Sequence, residues 1–198
     1  MKFEVEQNIT KATLGQSKLT PGILLMEGMS SEWNRHLLNN ILDRSGINYL
    51  EVGVWHGSTF ISALYGNKVN AYAVDNWSEF NDGDSKYSFH KNCCDFGVSG
   101  FTFFEMDAFT VDLTKINNKI NVFFYDGDHN YEQTRKALTY FLPVLDNEFL
   151  FIADDYTWDG VFKGVRDGIK YCNLNIKQMW ELKEKDWWNG LGIFILKK

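Results

Sequence analysis

Only two prolines and three cysteines occur in the 198 residues, and no run approaches the roughly 18 apolar residues that a membrane-spanning helix needs. Cys93, Cys94 and Cys172 are too few and too oddly counted for a disulfide framework. No C-x-x-C pair exists, which removes the usual structural zinc site. The opening stretch MKFEVEQNITKATLGQ lacks the apolar core of a secretory signal, so a reducing, cytoplasmic location is expected. Positive charge is also short: the formal net charge is −6 and the lysines and arginines are scattered. That leaves no electrostatic footprint for nucleic acid or an anionic membrane. Neither G-x-G-x-x-G nor a G-K-[ST] phosphate loop is present, which argues against nicotinamide dinucleotides and nucleoside triphosphates.

What remains is a well-stocked globular chain. It is 44% hydrophobic and carries seven tryptophans. A chain of this length buries roughly 70% of its unfolded surface without metal or disulfide staples. Residues 1–29 are weakly patterned and read as an extension packing over a single domain spanning 30–198. From Ser30 or Ser31, either of which can cap a helix, Trp33, Leu37, Leu38, Ile41 and Leu42 recur at helical spacing. His36 falls on the opposite, exposed side of that helix.

A regular alternation follows. Strand-like runs at 47–52, 69–74, 101–105, 120–125 and 148–153 alternate with helical stretches at 58–65, 85–96, 130–142 and 160–172. Alternation of this kind predicts right-handed βαβ crossovers and a doubly wound, Rossmann-like, largely parallel sheet. The closing runs 176–182 and 193–197 have no helix between them, so they are expected as antiparallel neighbours at one edge.

Ligands of such sheets bind beyond the carboxyl ends of the strands. After the first strand comes Glu51-Val52-Gly53-Val54-Trp55-His56-Gly57-Ser58, where Gly53 and Gly57 allow close backbone approach and a sharp turn into a helix. Asp75, after the second strand, stands where a carboxylate accepts hydrogen bonds from a ribose diol. Asn76 follows it. Asp107 and Ala108, after the third strand, fall where an adenine edge would lie. A further acidic group ends the next two strands: Asp126 and Asp128, then Asp154 and Asp155. Unrelieved, such acids raise one another's pKa, and oxygen-only ligation of Mg²⁺ or a similar hard cation resolves the conflict.

Together YLEVGVWHGSTF, AVDNW, FEMDA, FFYDGDHNYEQT and FIADDYTW resemble the class I S-adenosylmethionine (SAM)-dependent methyltransferases, from about Met26 onward. The acidic rim is similar to the metal-dependent branch acting on sugar and other small-molecule hydroxyls. The resemblance implies a seven-stranded sheet, with residues 30–198 as the SAM-binding methyltransferase domain. The methionine part of SAM would lie over Gly53, Gly57 and Ser58, with Glu51 reaching its ammonium. Asp75 and Asn76 would hold the ribose, and Asp107, Ala108 and Asp126 would complete the cofactor site. Asp126, Asp154 and Asp155 are the implied metal ligands. Asp128 is the implied base, ahead of His129, on the argument that alternate residues of a strand share a face.

Two other readings keep the fold: a metal-independent methyltransferase with His129 as base, and a SAM-binding module without catalysis. The expected partner is a small-molecule hydroxyl acceptor, a sugar among the options, with no nucleic acid and no membrane. A homo-oligomer is compatible with all of this. Trp77, Trp158, Trp187 and Trp188 offer flat faces for an acceptor pocket. His56 is expected against cofactor or solvent, while His90 and Cys93 pack rather than ligate. Tyr87-x-x-x-Lys91 has the spacing of a dehydrogenase pair but precedes the third strand, the wrong place for that fold.

Overall fold

The computed structural model describes residues 3–79 and 83–198. Seven strands, β1 (Asn48–Val52), β2 (Asn70–Asp75), β3 (Thr102–Glu105), β4 (Ile120–Tyr125), β5 (Leu145–Ala153), β6 (Asn175–Leu182) and β7 (Leu191–Lys197), form one sheet. Their order is β3-β2-β1-β4-β5-β7-β6. β1 to β5 pair in parallel, and β7 runs antiparallel to both β5 and β6. The expected Rossmann-like sheet with its antiparallel closing pair is therefore what the chain forms. Sequence order reverses between β1 and β4, which makes their carboxyl ends the switch point where a crevice opens.

The helices are α1 (Val5–Thr13), α2 (Pro21–Leu24), α3 (Glu32–Leu42), α4 (Ser58–Leu64), α5 (Ser85–Asp95), α6 (Tyr131–Phe141) and α7 (Asp159–Tyr171). Both sheet faces are covered, so the central strands are apolar throughout rather than alternating. Tyr49, Val122, Phe124 and Ile152 face one core with Leu37, Leu38, Phe60 and Ile61. Leu50, Phe123, Tyr125 and Phe151 face the other with Leu138, Phe141, Val165 and Ile169. Ser31 caps α3 by accepting from the Asn34 amide at 3.1 Å, and Asn130 caps α6 by accepting from Gln133 at 3.0 Å. Each such cap contributes about 1 kcal/mol.

Residues 3–29 add no strand. Helix α1 packs on α3. Arg35 of α3 is buried and donates to the carbonyls of Ile23, Leu24 and Met26 at 3.2, 3.1 and 2.8 Å, and through Nε to Ser30 at 3.0 Å. His36 overturns its expected exposure. It is 4% exposed, because the stretch after α1 folds over it and Ser17 Oγ lies 2.7 Å from its Nδ1. The helical pattern showed the side of α3 facing the sheet but not the segment that covers its back.

Candidate functional site

A cavity of about 770 Å³ lies at the carboxyl ends of β1 to β5. That size suits a cofactor-sized ligand. On the β1 side its wall is the turn from Gly53 to Ser58. Gly53 has φ +87°, and a Cβ there would lie 1.9 Å from the Asp126 carbonyl oxygen, so only glycine lets the ends of β1 and β4 meet this closely. The turn is held by Asp75, whose Oδ2 accepts from the Val54 and Trp55 amides at 2.8 and 2.9 Å. Its Oδ1 accepts from the Trp77 amide at 2.7 Å.

Asp75 is therefore committed differently from expectation. A carboxylate has about four acceptor positions, and three are taken by the chain itself. Among the described residues one position on Oδ1 remains unused, rather than a free carboxylate. Gly53, Ser58, Asn76, Asp107, Ala108 and Asp126 all line the cavity. Gly57, with φ +88°, supports the wall from behind, where a Cβ would meet Ile61 and Phe89 at 2.9 and 3.0 Å.

Glu51 does not reach the cavity. It is fully buried, and its carboxyl meets the Tyr49 hydroxyl and accepts from Thr59 Oγ1 at 2.5 Å, so Thr59 stands between it and the wall. The last residues of β1 alternate faces, which turns Glu51 toward α4. Burial pushes its pKa up to about 8, against the lowering by the Thr59 and Tyr49 hydroxyls. The sign of the consequence follows from linkage. Between about 4.5 and 8 the unfolded chain releases a proton that the folded chain keeps, so stability falls as pH rises through that window. Glu51→Gln keeps the shape and should stabilise the protein by roughly 3 kcal/mol near pH 8 and much less near pH 5. Thermal melts of both proteins across this range check it. An unchanged difference at the two pH values would show that Glu51 ionises freely in the fold.

The acids at the far wall rearrange the expected metal set. Asp126, His129 and Asp155 bring one ligating atom each within 4.8 Å of one another. His129 Nε2 lies 2.6 Å from Asp155 Oδ2 and 3.8 Å from Asp126 Oδ1. Burial alone would lower the His129 pKa, but the two carboxylates outweigh it and lift the ring to about 10. Burial and the neighbouring Asp155 raise Asp126 to about 6, against the pull of His129. Asp154 stays out of this group. It is 3% exposed, does not line the cavity, and has an Oδ1 without a hydrogen-bond partner among the described residues. Burial, then Asp126 and Asp155, hold its carboxyl well above the usual range.

The shared-face argument for Asp126 and Asp128 also fails. β4 ends at Tyr125, the chain turns at Gly127, and Asp128 is exposed with its Oδ1 accepting from Asn130 N and Nδ2 at 2.9 and 2.7 Å. His129 takes the place beside Asp126. The donor set is accordingly two carboxylates and an imidazole, not oxygen alone. It fits a divalent cation, since Asp155 Oδ1 is buried in the cavity wall without a hydrogen-bond partner among the described residues. The imidazole moves the preference from Mg²⁺ toward a transition ion.

Trp77, Trp158 and Trp188 line the cavity, whereas Trp187 is 2% exposed and packs edge-on against Trp33 at 5.3 Å. His56 is buried, stacked on Trp55 at 3.6 Å, and does not line the cavity. Met29, Glu79 and Gln133 also line it, and no motif marked them. Of six non-glycine residues with positive φ among the described residues, four line the cavity: Trp55, Trp77, Asp155 and Trp188. Strain of this kind concentrates where function fixes the backbone.

Over residues 50–156, more than half of the chain, the sequence matches the family described as methyltransferase domain. No match occurs among curated protein sequences. Among solved structures the chain is similar to TrmN from Thermus thermophilus, with 14% identity and a TM-score of 0.62 over 89% of this chain and 52% of that one. It thus spans about half the length of TrmN. It is also similar to the O-methyltransferase from Bacillus cereus in complex with S-adenosylhomocysteine (SAH), at 13% identity and TM-score 0.64 over 98% and 89% of the two chains. A third is the SAM-bound O-methyltransferase TomG from Streptomyces achromogenes, involved in tomaymycin synthesis, at 12% identity and TM-score 0.66 over 100% of both. Likeness at such identities establishes the shared fold, and the sequence match establishes kinship: the chain belongs to the methyltransferase domain family.

Proposed function

We propose that the protein transfers a methyl group from SAM to a hydroxyl of a small molecule. The observation that carries this is the meeting, in one cavity, of the Gly53 turn and Asp75 with the Asp126–His129–Asp155 cluster. SAM has no phosphate, so the absence of a phosphate loop suits it. Gly53 and Ser58 would line the methionine part, with Gly57 shaping the turn behind them. Asp75 and Asn76 would hold the ribose, and Asp107 and Ala108 the adenine. SAM brings an activated methyl group, which the acceptor oxygen takes in line as the carbon–sulfur bond breaks and the acceptor proton departs.

The chain's own task is alignment and proton handling. Holding reactants in line can contribute roughly 7–11 kcal/mol. At neutral pH His129 carries a proton between two carboxylates, so it is poorly placed to accept another. Asp155 Oδ1, buried and without a hydrogen-bond partner among the described residues, would receive the acceptor proton, and the charged ring would stabilise the oxygen as it loses that proton. With His129 deprotonated, Asp126, His129 and Asp155 would instead hold a divalent cation, which would polarise the acceptor hydroxyl and lower its pKa.

Calorimetry with SAH, on the wild type and on Asp75→Ala, tests the cofactor part. The substitution removes an acceptor serving three amides and a ribose hydroxyl. Hydrogen bonds to charged groups contribute about 1.5–3 kcal/mol, so affinity should fall by roughly one to two orders of magnitude. Absence of SAH binding by the wild type at millimolar concentration overturns the reading. Transfer of labelled methyl with and without chelator tests the cation. An undiminished rate after metal removal leaves transfer standing and removes the cation from it.

A further inference from the structure

The cavity wall is one-sided in charge. Six carboxylates line it, from Asp75, Glu79, Asp107, Asp126, Asp128 and Asp155, and among the described residues no lysine or arginine does. Most of that charge has a local use. Asp75 holds the glycine turn, Asp107 accepts from the Phe109 amide at 2.7 Å, and Asp126 and Asp155 flank His129. Glu79 is left, and with it the second oxygen of Asp128, whose Oδ1 accepts from Asn130 N and Nδ2. Glu79 is about half exposed, with His129 Nδ1 at 3.6 Å, and Asp128 is exposed. The buried Asp155 Oδ1 adds an acceptor atom without a partner among the described residues.

Beside these acids stand two flat apolar faces. Trp158 and Trp188 are each 47% exposed and both line the cavity. Their loops are tied together: the Tyr156 amide donates to the Gly190 carbonyl at 3.0 Å, and the Thr157 amide and hydroxyl donate to the Asn189 carbonyl at 3.1 and 2.6 Å. Trp158 also meets the His129 ring edge-on, with centroids 5.1 Å apart. Trp188 holds φ +59° and ψ −122°, a conformation that a side chain of this size adopts only under constraint. Indole faces attract cations, and carboxylates at the same rim add to that attraction. An anionic acceptor would meet repulsion and find no cation in the described wall except His129.

We infer that the acceptor is a ring compound carrying a protonated amine beside its hydroxyl, held between the Trp158 and Trp188 faces and the Glu79 and Asp128 carboxylates. This rests on the methyl-transfer reading for the word acceptor, but the charge selection concerns binding alone. Amino sugars and hydroxylated aromatic amines share the required chemistry.

The test uses two matched series with the full chain saturated with SAH. One is dopamine, catechol and dihydrocaffeate; the other is glucosamine, N-acetylglucosamine and glucuronate. In at least one series the amine should bind about tenfold or more tighter than the carboxylate, with the neutral compound between them. The gap should shrink at high salt, as screening requires. Glu79→Gln and Trp188→Ala should each weaken the amine by about three- to tenfold, with SAH binding as the check on folding. Equal or tighter binding of the carboxylate, a gap insensitive to salt, or no binding of either amine overturns the inference.

Labelled SAM added to the same solutions separates this inference from the one beneath it. Preferred methylation of a carboxylate or neutral member ends the charge selection and leaves methyl transfer standing. Salt-sensitive amine binding with no methyl transferred to any compound does the reverse.

Discussion

Asp155→Asn is expected to lower kcat by about 10²- to 10⁴-fold while SAH affinity changes little. Asparagine is nearly the same size, and it tolerates the left-handed backbone that Asp155 holds at φ +50°. The substitution therefore tests charge and not fold. It removes the free Oδ1 as a proton acceptor, removes the carboxylate 2.6 Å from His129, and removes one donor of the cation set. All three losses strike the same step. Asp128→Asn should be much milder, because that carboxylate is exposed and turned to Asn130. Single-turnover rates with a working acceptor check the ranking. A larger loss at Asp128 would return the base to the residue that strand alternation favoured and would leave Asp155 a scaffold for His129.

That reversal shows where sequence reading held and where it stopped. The bounds of β4 could be read off to the residue, Ile120–Tyr125, because a strand buried on both faces is an unbroken apolar run ended by polar residues. The closing antiparallel pair was legible from a missing crossover helix, and the cavity's location from the rule for doubly wound sheets. The direction of each acidic side chain was not. Alternation holds only while the backbone is extended, and both acidic pairs fall after their strands end. After β4 the chain turns at Gly127 and brings His129, not Asp128, to Asp126. After β5 the backbone of Asp155 becomes left-handed, so Asp154 goes into the protein and Asp155 into the cavity.

The burial of Glu51 was illegible for a different reason. Its position at the end of β1 was right, but the partners that bury it, Tyr49 and Thr59, look like ordinary core and helix residues in the sequence. Trp187 and Trp188 were indistinguishable as letters. A short helical turn over Lys185–Trp187 points the first into the core, and the strained residue after it sends the second to the cavity. Residues 3–29 carried too little pattern to reveal that Met29 would reach the cavity, since their placement depends on Arg35 gathering three carbonyls.

Gly53→Ala should damage stability and cofactor binding together, and the glycines elsewhere supply the control. At Gly53 an added methyl meets the Asp126 carbonyl oxygen at 1.9 Å and its carbon at 2.5 Å, both backbone atoms that cannot swing aside. The φ of +87° adds backbone strain of about 1 kcal/mol. Relief requires β1 and β4 to part at their carboxyl ends, where the Asp126 amide donates to Val52 at 2.8 Å. Parting them moves the glycine turn away from Asp75 and Asp126 away from His129. A loss of about 3–5 kcal/mol is expected, within the range of severe overpacking, with SAH affinity reduced by at least about tenfold. Gly97→Ala carries the strain without the collision, since φ is +66° and nothing lies within 4 Å of the added methyl. It should cost about 1 kcal/mol and leave SAH binding alone. Denaturant melts and calorimetry on the two variants separate the terms. Equal losses at both positions would mean that the close approach of β1 and β4 is not what requires glycine at residue 53.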